Sequence, residues 1–227
     1  MLDSRTKQNI PSIKKEVIFL EQKTFQDKKA KMASILSKID ALKFGVYTLS
    51  SGKASPYNID LRVVPSFPDA FREICDFYCE VITSQIGLKN FDRIAAVPLA
   101  GIPFASPIAY NLKKPFLYIR KGVKLQGRER RVEGILFSGD KVLLVDDLVT
   151  TGLTLKKAAE ALRAEGGVVT QAVAFLDREE GGKEKLAESG IQLISLLKIS
   201  EVANALYDLG AIDEESLKTI QKQIKKK

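Results

Sequence analysis

Apolar residues follow two different periods along this chain. Between residues 32 and 42 they recur at three and four (Met32, Ile35, Leu36, Ile39, Leu42), which predicts an amphipathic helix with a stop at Gly45. Residues 47–62 read as two short strands around a turn marked by Gly52 and Pro56. Residues 68–87 read as a long helix that opens at Pro68. The period then shortens. Apolar runs at 94–97, 115–119, 141–145, 168–176 and 191–197 read as strands. Helical patterns at 103–112, 153–165 and 182–189 lie among them, and helices near 200–208 and 213–224 close the chain. Strands alternating with helices predict βαβ units, and hence an α/β fold with a parallel sheet flanked by helices. No internal repeat is visible.

Two segments stand outside this alternation. Residues 1–30 are lysine-rich with scattered apolar positions and read as a separate extension, either a surface helix or a partly ordered arm. Residues 120–139 are charged, carry Gly122, Gly127, Gly134 and Gly139, and separate two strong strands. A long loop inside a compact domain is usually functional or disordered.

Composition narrows the class. The 227 residues are 45% hydrophobic and 28% charged, which suits one globular α/β domain with a real core. The first thirty residues lack a secretory pattern. The longest uncharged stretch, 94–112, is broken by Pro98, Pro103 and Pro107, so no membrane span is expected. Cys75 and Cys79 are four apart, on one helix face. With no histidine in the chain to complete a metal site, they read as small apolar residues. The net charge of +8 is unevenly placed. Residues 1–31 carry eight basic and four acidic side chains, and residues 120–131 carry six basic against Glu129 alone. The rest is near neutral. A dense local cluster points to an anion site more than to nucleic acid, and no nucleic-acid-reading module is present.

The segment KVLLVDDLVTTGLT (141–154) carries the chemistry. An uninterrupted apolar strand leads to Asp146 and Asp147, then to a Thr/Gly turn and a helix. Ligands of open α/β sheets sit at the carboxyl ends of strands. A helix N-terminus offers free N–H groups and a favourable dipole to phosphate. Gly152 permits close backbone approach, while Thr150, Thr151 and Thr154 add hydroxyls. Two carboxylates beside an anion cradle repel phosphate, so they call for hydroxyls or a metal. A ribose 5-phosphate supplies hydroxyls and phosphate together. A helix cap alone does not need two acids followed by three threonines. The segment matches neither a Walker loop nor GxGxxG.

VLLVDDLVTTGLT resembles the phosphoribosyl-diphosphate signature of type I phosphoribosyltransferases. The resemblance spans about residues 32–205. It implies that family's fold: a hood over residues 31–65, a core over 66–210, a C-terminal helix to 227 and a mobile loop. Three further segments resemble orotate phosphoribosyltransferases in particular. KFGVYTLSSGKASPY (43–57) is similar to their N-terminal signature, which implies that Tyr57 and Asn58 line the orotate pocket. Arg120, Lys121 and Lys124, followed by RVEG (131–134), resemble the catalytic loop. DREEGG (177–182) resembles the segment whose arginine meets the orotate carboxylate, here Arg178. A flat anionic acceptor suits a guanidinium fork at a strand end. An ion pair with Glu179 or Glu180 is the plainer reading of Arg178.

The implied reaction moves ribose 5-phosphate from 5-phosphoribosyl 1-diphosphate to orotate, giving orotidine 5′-monophosphate and diphosphate. In that reading Lys124, Asp146 and Asp147 are catalytic. Arg120, Lys121, Lys124 and the run Asp146, Asp147, Leu148, Val149, Thr150, Thr151, Gly152, Leu153 and Thr154 bind phosphoribosyl diphosphate. Tyr57, Asn58, Thr150 and Arg178 bind orotate. Mg²⁺ is the implied cofactor, held through substrate and water with no direct protein ligand. A homodimer is implied, with the 120–134 loop reaching the other subunit's site, and a cytoplasmic location. The pattern departs from the family at Gln126, where a histidine is common, and at Ser50 and Ala100, where lysines are common. A transferase for another base, or a sensor of phosphoribosyl diphosphate without catalysis, shares the central motif.

Overall fold

The computed structural model describes residues 12–48, 54–120 and 131–225. Six strands form one sheet in the order β5-β4-β3-β6-β7-β8, where β3 is Arg93–Ala96, β4 Phe116–Ile119, β5 Val132–Glu133, β6 Lys141–Val149, β7 Val168–Asp177 and β8 Gln192–Lys198. All neighbours are parallel except the edge pair β4–β5. After β3 the chain moves outward to β4, then returns to the other side of β3 to make β6. The strand order therefore reverses between β3 and β6, and the crevice beyond their carboxyl ends is where such sheets bind ligands.

The central strands are apolar on both faces because helices cover both. Leu143, Val145, Val173 and Phe175 pack on one side with α2 (Pro68–Val81), α3 (Gly101–Asn111) and α6 (Ile199–Asp208). Val142, Leu144, Ala172 and Ala174 pack on the other with α4 (Leu153–Ala164) and α5 (Gly182–Glu188). α2 continues through one wider turn, Ile82–Ile86, and stops at Gly87, whose φ is 83°. A two-stranded antiparallel hairpin, β1 (Leu42–Thr48) and β2 (Ala54–Ile59), stands apart from the sheet. α7 (Glu214–Lys225) packs on β2, with Ile220 buried and Leu217 and Ile224 against the core.

Three expectations are corrected. The boundary near residue 30 falls inside a single helix, α1 (Ser12–Lys38). Residues 26–31 are mostly good helix formers, and the helix is anchored before that point by Phe25 and Lys29 and after it by the buried Met32 and Leu36. Phe25 lies 5.5 Å from the Phe77 ring, and Lys29 Nζ lies 2.9 Å from both carboxylate oxygens of Glu201. Gly45 does not end this helix. The helix closes at Lys38, Asp40 takes a left-handed turn at φ 58°, and Gly45 lies within β1. β6 runs four residues beyond 145, because β7 continues to pair with it from Asp146↔Ala174 to Val149↔Asp177. The two carboxylates thus lie within the strand. Beyond residue 130, β5 adds a short antiparallel rung beside β4.

Candidate active site

Asp146 and Asp147 lie near the carboxyl end of the central strand and are almost wholly buried, at 6% and 9% exposure. The Asp147 N–H donates to Asp146 Oδ1 at 3.0 Å. Tyr78, itself fully buried, donates its hydroxyl to the Asp146 carbonyl at 2.6 Å, which ties α2 to the strand end. Burial, followed by repulsion from Asp147, pushes the Asp146 carboxyl well above its ordinary value. Burial also raises Asp147; its contacts with Asp146 and the positive charge of Arg62 oppose that rise. Arg62 is held in a fork by Asp60, with Nε to Oδ1 at 2.7 Å and Nη2 to Oδ2 at 2.8 Å. That fork holds the Asp60 carboxyl below its ordinary range. Two acids held out of water with incomplete compensation are poised for hydroxyl donors or a cation.

The start of α3 comes very close to this pair. A Cβ on Gly101 would stand 2.9 Å from the Val145 carbonyl and 3.0 Å from Asp146 Oδ1, so only glycine fits. Ala100 precedes it as the helix cap and brings no charge. On the other side of β6, the turn after the strand leads to Gly152, left-handed at φ 73°, and the uncapped N-terminus of α4. No acidic residue occupies the first turn of α4, so its N–H groups and dipole remain available to an anion. Thr150 is half-buried, while Thr151, Leu153 and Thr154 are exposed. None of the three threonine hydroxyls has a partner among the described residues. Val149 sends its side chain into the core on the α4 side, and Leu148 packs on the core of the opposite face, so both can offer the ligand only backbone.

Gly152 also has a packing role. Its missing side chain faces α5, where a Cβ would meet the Gly182 carbonyl at 2.9 Å and Leu186 Cγ at 3.0 Å. Gly182 answers it: a Cβ there would lie 2.5 Å from both the Thr150 carbonyl and Val149 Cγ1. The two glycines let the loops after β6 and β7 interlock.

Arg178 follows the last residue of β7. Its N–H donates to the Val149 carbonyl at 2.9 Å, so it is fastened to the same turn. Its guanidinium is buried, with the carbon 4.8 Å from the Tyr57 ring centre and Nη2 3.5 Å from Ser55 Oγ. Nε lies 2.9 Å from Glu180 Oε1. The N–H is not aligned with that oxygen, so the contact is ionic, and neither atom has a hydrogen bond among the described residues. The ion pair anticipated for Arg178 is therefore real but buried. Strand alternation in β2 puts Ser55 and Tyr57 on the inner face and turns Asn58 outward, where it is exposed. Asn58 thus does not join Tyr57 beneath Arg178.

Arg120 closes the β4–β5 edge, its N–H bonded to the Arg131 carbonyl and its Nη1 2.9 Å from Glu133. Lys121, Lys124, Gln126 and Ser50 lie outside the described residues. Sequence reasoning missed Ser55, Arg62, Gly101 and Gly182, and named Glu180 only alongside Glu179 as an ion-pair partner for Arg178. Gly-Ile-Pro and Gly-Gly were the available signals for the glycines; nothing local marks the others. Among the described residues no cluster of three or more acids or cysteines could hold a metal directly. No described helix is long and apolar enough to cross a membrane.

Comparison with known proteins gives the family. A family model described as "Phosphoribosyl transferase domain" matches residues 69–203. The chain is 44% identical over 174 residues to a Staphylothermus marinus protein named orotate phosphoribosyltransferase, covering 77% of this chain and 83% of that one. It is 39% identical over 189 residues to a protein of the same name from Cenarchaeum symbiosum, covering 83% of this chain and 94% of the relative. The crystal structure of orotate phosphoribosyltransferase from Aeropyrum pernix superposes with a TM-score of 0.70 at 34% identity, covering 80% of this chain and 99% of that one.

Proposed function

Since this chain belongs to the phosphoribosyltransferase family, we propose from that premise that it is an orotate phosphoribosyltransferase, a pentosyltransferase of pyrimidine biosynthesis. It joins orotate to the ribose 5-phosphate of 5-phosphoribosyl 1-diphosphate, giving orotidine 5′-monophosphate and diphosphate. One observation carries the choice of acceptor: a buried arginine, Arg178, hydrogen-bonded through its backbone to the ribose-binding turn at Val149. A purine acceptor has no use for that charge, whereas the orotate carboxylate matches a guanidinium edge.

In this reading the open N-terminus of α4 and the threonines of the turn take the 5-phosphate. Asp146 and Asp147 accept hydrogen bonds from the ribose hydroxyls. The C1–O bond to diphosphate breaks and a C1–N bond to the orotate ring forms. Positive charge gathers on the ribose ring as the bond breaks, and the buried carboxylates lie on the side that favours it. With no histidine in the chain, the ring nitrogen attacks as its anion without an imidazole base. The donor set fits Mg²⁺ held through the diphosphate and water, since two buried acids can receive hydroxyls and metal-bound water but cannot form a cage alone. Bound there, Mg²⁺ would supply charge neutralisation for the leaving diphosphate. Lys124 and Lys121 belong to the same neutralisation, acting from the 120–134 loop across the two-fold axis of a homodimer. We place the reaction in the cytoplasm.

The test is acceptor choice. Purified chain with phosphoribosyl diphosphate and Mg²⁺ is offered orotate, uracil, adenine and hypoxanthine. Diphosphate release with orotate alone is expected. A preference for any other base overturns the assignment, and tight donor binding without turnover on any base points to a sensor.

A further inference from the structure

Arg178 and Glu180 lie on the same side of a turn that is bent to bring them there. Glu179 between them is left-handed, at φ 56°, an uncommon conformation for a residue with a side chain. Its N–H donates to Asp177 Oδ1 at 2.7 Å, and its carboxylate accepts from the Ser200 N–H at 3.0 Å. Glu179 therefore caps the start of α6 and takes no part in the acceptor pocket. The reversal turns Glu180 back towards the guanidinium. The two acids of Arg-Glu-Glu thus have separate tasks.

The guanidinium is constrained on three sides. Tyr57 covers one flat face, Ser55 Oγ touches Nη2, and Glu180 stands at Nε. The side chain of Arg178 is 6% exposed and that of Glu180 is 31% exposed. A buried cation needs a counter-charge, and Glu180 is the acid in ion-pair contact with it among the described residues. With Nε so occupied, the terminal edge is what remains for a carboxylate. We propose that Glu180 is a positioning residue of the acceptor site. Its carboxylate anchors Arg178 Nε, so that the terminal nitrogens are presented to the acceptor's carboxylate, and it thereby sets the preference for an acidic base over a neutral one. The inference rests on the reading of the acceptor as orotate.

Steady-state kinetics on wild type, Glu180→Ala, Glu180→Gln and Glu179→Gln test it, with orotate and phosphoribosyl diphosphate varied separately. In Glu180→Ala the orotate KM rises about tenfold, while kcat and the donor KM stay within about twofold. The ratio of orotate to uracil turnover falls in parallel. Glu180→Gln keeps an oxygen near Nε and has an intermediate effect. Glu179→Gln lowers thermal stability without moving the orotate KM. A folded Glu180→Ala with unchanged orotate KM, or with both KM values raised equally, overturns the role. If Glu180→Ala does not fold, the Glu180→Gln orotate KM decides by the same criterion. A wild type that ignores orotate overturns the functional reading itself, a result distinct from an active wild type indifferent to position 180.

Discussion

The guanidinium carbon of Arg178 stands 4.8 Å from the centre of the Tyr57 ring, and this contact joins the N-terminal hairpin to the carboxyl end of β7. The ring is buried, so its attraction for the cation is little screened. Tyr57→Phe keeps the face and should leave the orotate KM close to wild type. Tyr57→Leu removes the ring electrons and should cost about 0.5–2 kcal/mol of orotate affinity, roughly 2–30-fold in KM. Equal kinetics in the two variants would mean that the ring serves only as packing.

The buried acids make a prediction about pH. Burial raises both Asp146 and Asp147 above the ordinary carboxyl value of 3.8. Between that value and the raised ones, the folded chain holds more protons than the unfolded chain, so stability falls as pH rises through the interval. Above it both acids are charged, and the ligand-free protein carries the full penalty. Asp146→Asn, which cannot ionise, should therefore raise the Tm of ligand-free protein more at high pH than at low pH while weakening ribose binding. The shift expected is roughly 2–4 °C for each kcal/mol relieved. The loss of a charge-assisted hydrogen bond is about 1.5–3 kcal/mol by calorimetry with phosphoribosyl diphosphate. A lower Tm together with unchanged binding would refute both halves.

Gly182 is the tightest glycine of the site. A methyl group there meets backbone at Thr150, which cannot move without carrying the ribose-binding turn with it. Gly182→Ala should lower stability by about 1–3 kcal/mol, as overpacking does. It should also raise the KM for phosphoribosyl diphosphate more than that for orotate. Gly181→Ala is the control, because nothing lies within 4 Å of a Cβ there, although its φ of 84° adds some strain. Matching kinetic effects in the two variants would show that the contact at Gly182 is not responsible.

Cross-subunit action by Lys124 can be read from complementation. Lys124→Ala and Asp147→Asn are each expected to be nearly inactive. In a mixed dimer one site carries both changes and the other neither. About a quarter of all sites should then recover with random symmetric pairing. No recovery after demonstrated subunit exchange would assign Lys124 to its own chain's site or remove it from catalysis.

The alternation of periods foretold the sheet and its helices because burial on both faces leaves long apolar runs, as in Val142–Val145. The acid pair and the uncapped helix start were legible in DDLVTTGLT, since a strand, two acids and a turn are contiguous. Ser55 and Arg62 were not, because their roles arise only when the hairpin folds onto β7 or the strand end, and the choice of Glu180 over Glu179 needed the left-handed turn at Glu179. That the Asn58 side chain faces away from Tyr57 was legible too, since residues 57 and 58 of one strand point to opposite faces. The strand extension past Val145 depends on the length of β7, and the continuity of α1 across residue 30 depends on anchors in α2 and α6, so neither had a local signal.

The β6–β7 ladder ends on the rung Val149↔Asp177, with the ribose turn springing from one side and Arg178 from the other. Adjacent strands are a fixed step apart, so the offset between the sugar and the base it receives is built into the backbone rather than into any side chain. Base choice can then change by exchange of the short segment after β7, while the sugar-holding turn after β6 is inherited intact. A fold arranged this way is modular in its acceptor and conservative in its donor, and grafting residues 178–181 with Gly182 retained is the natural unit of redesign.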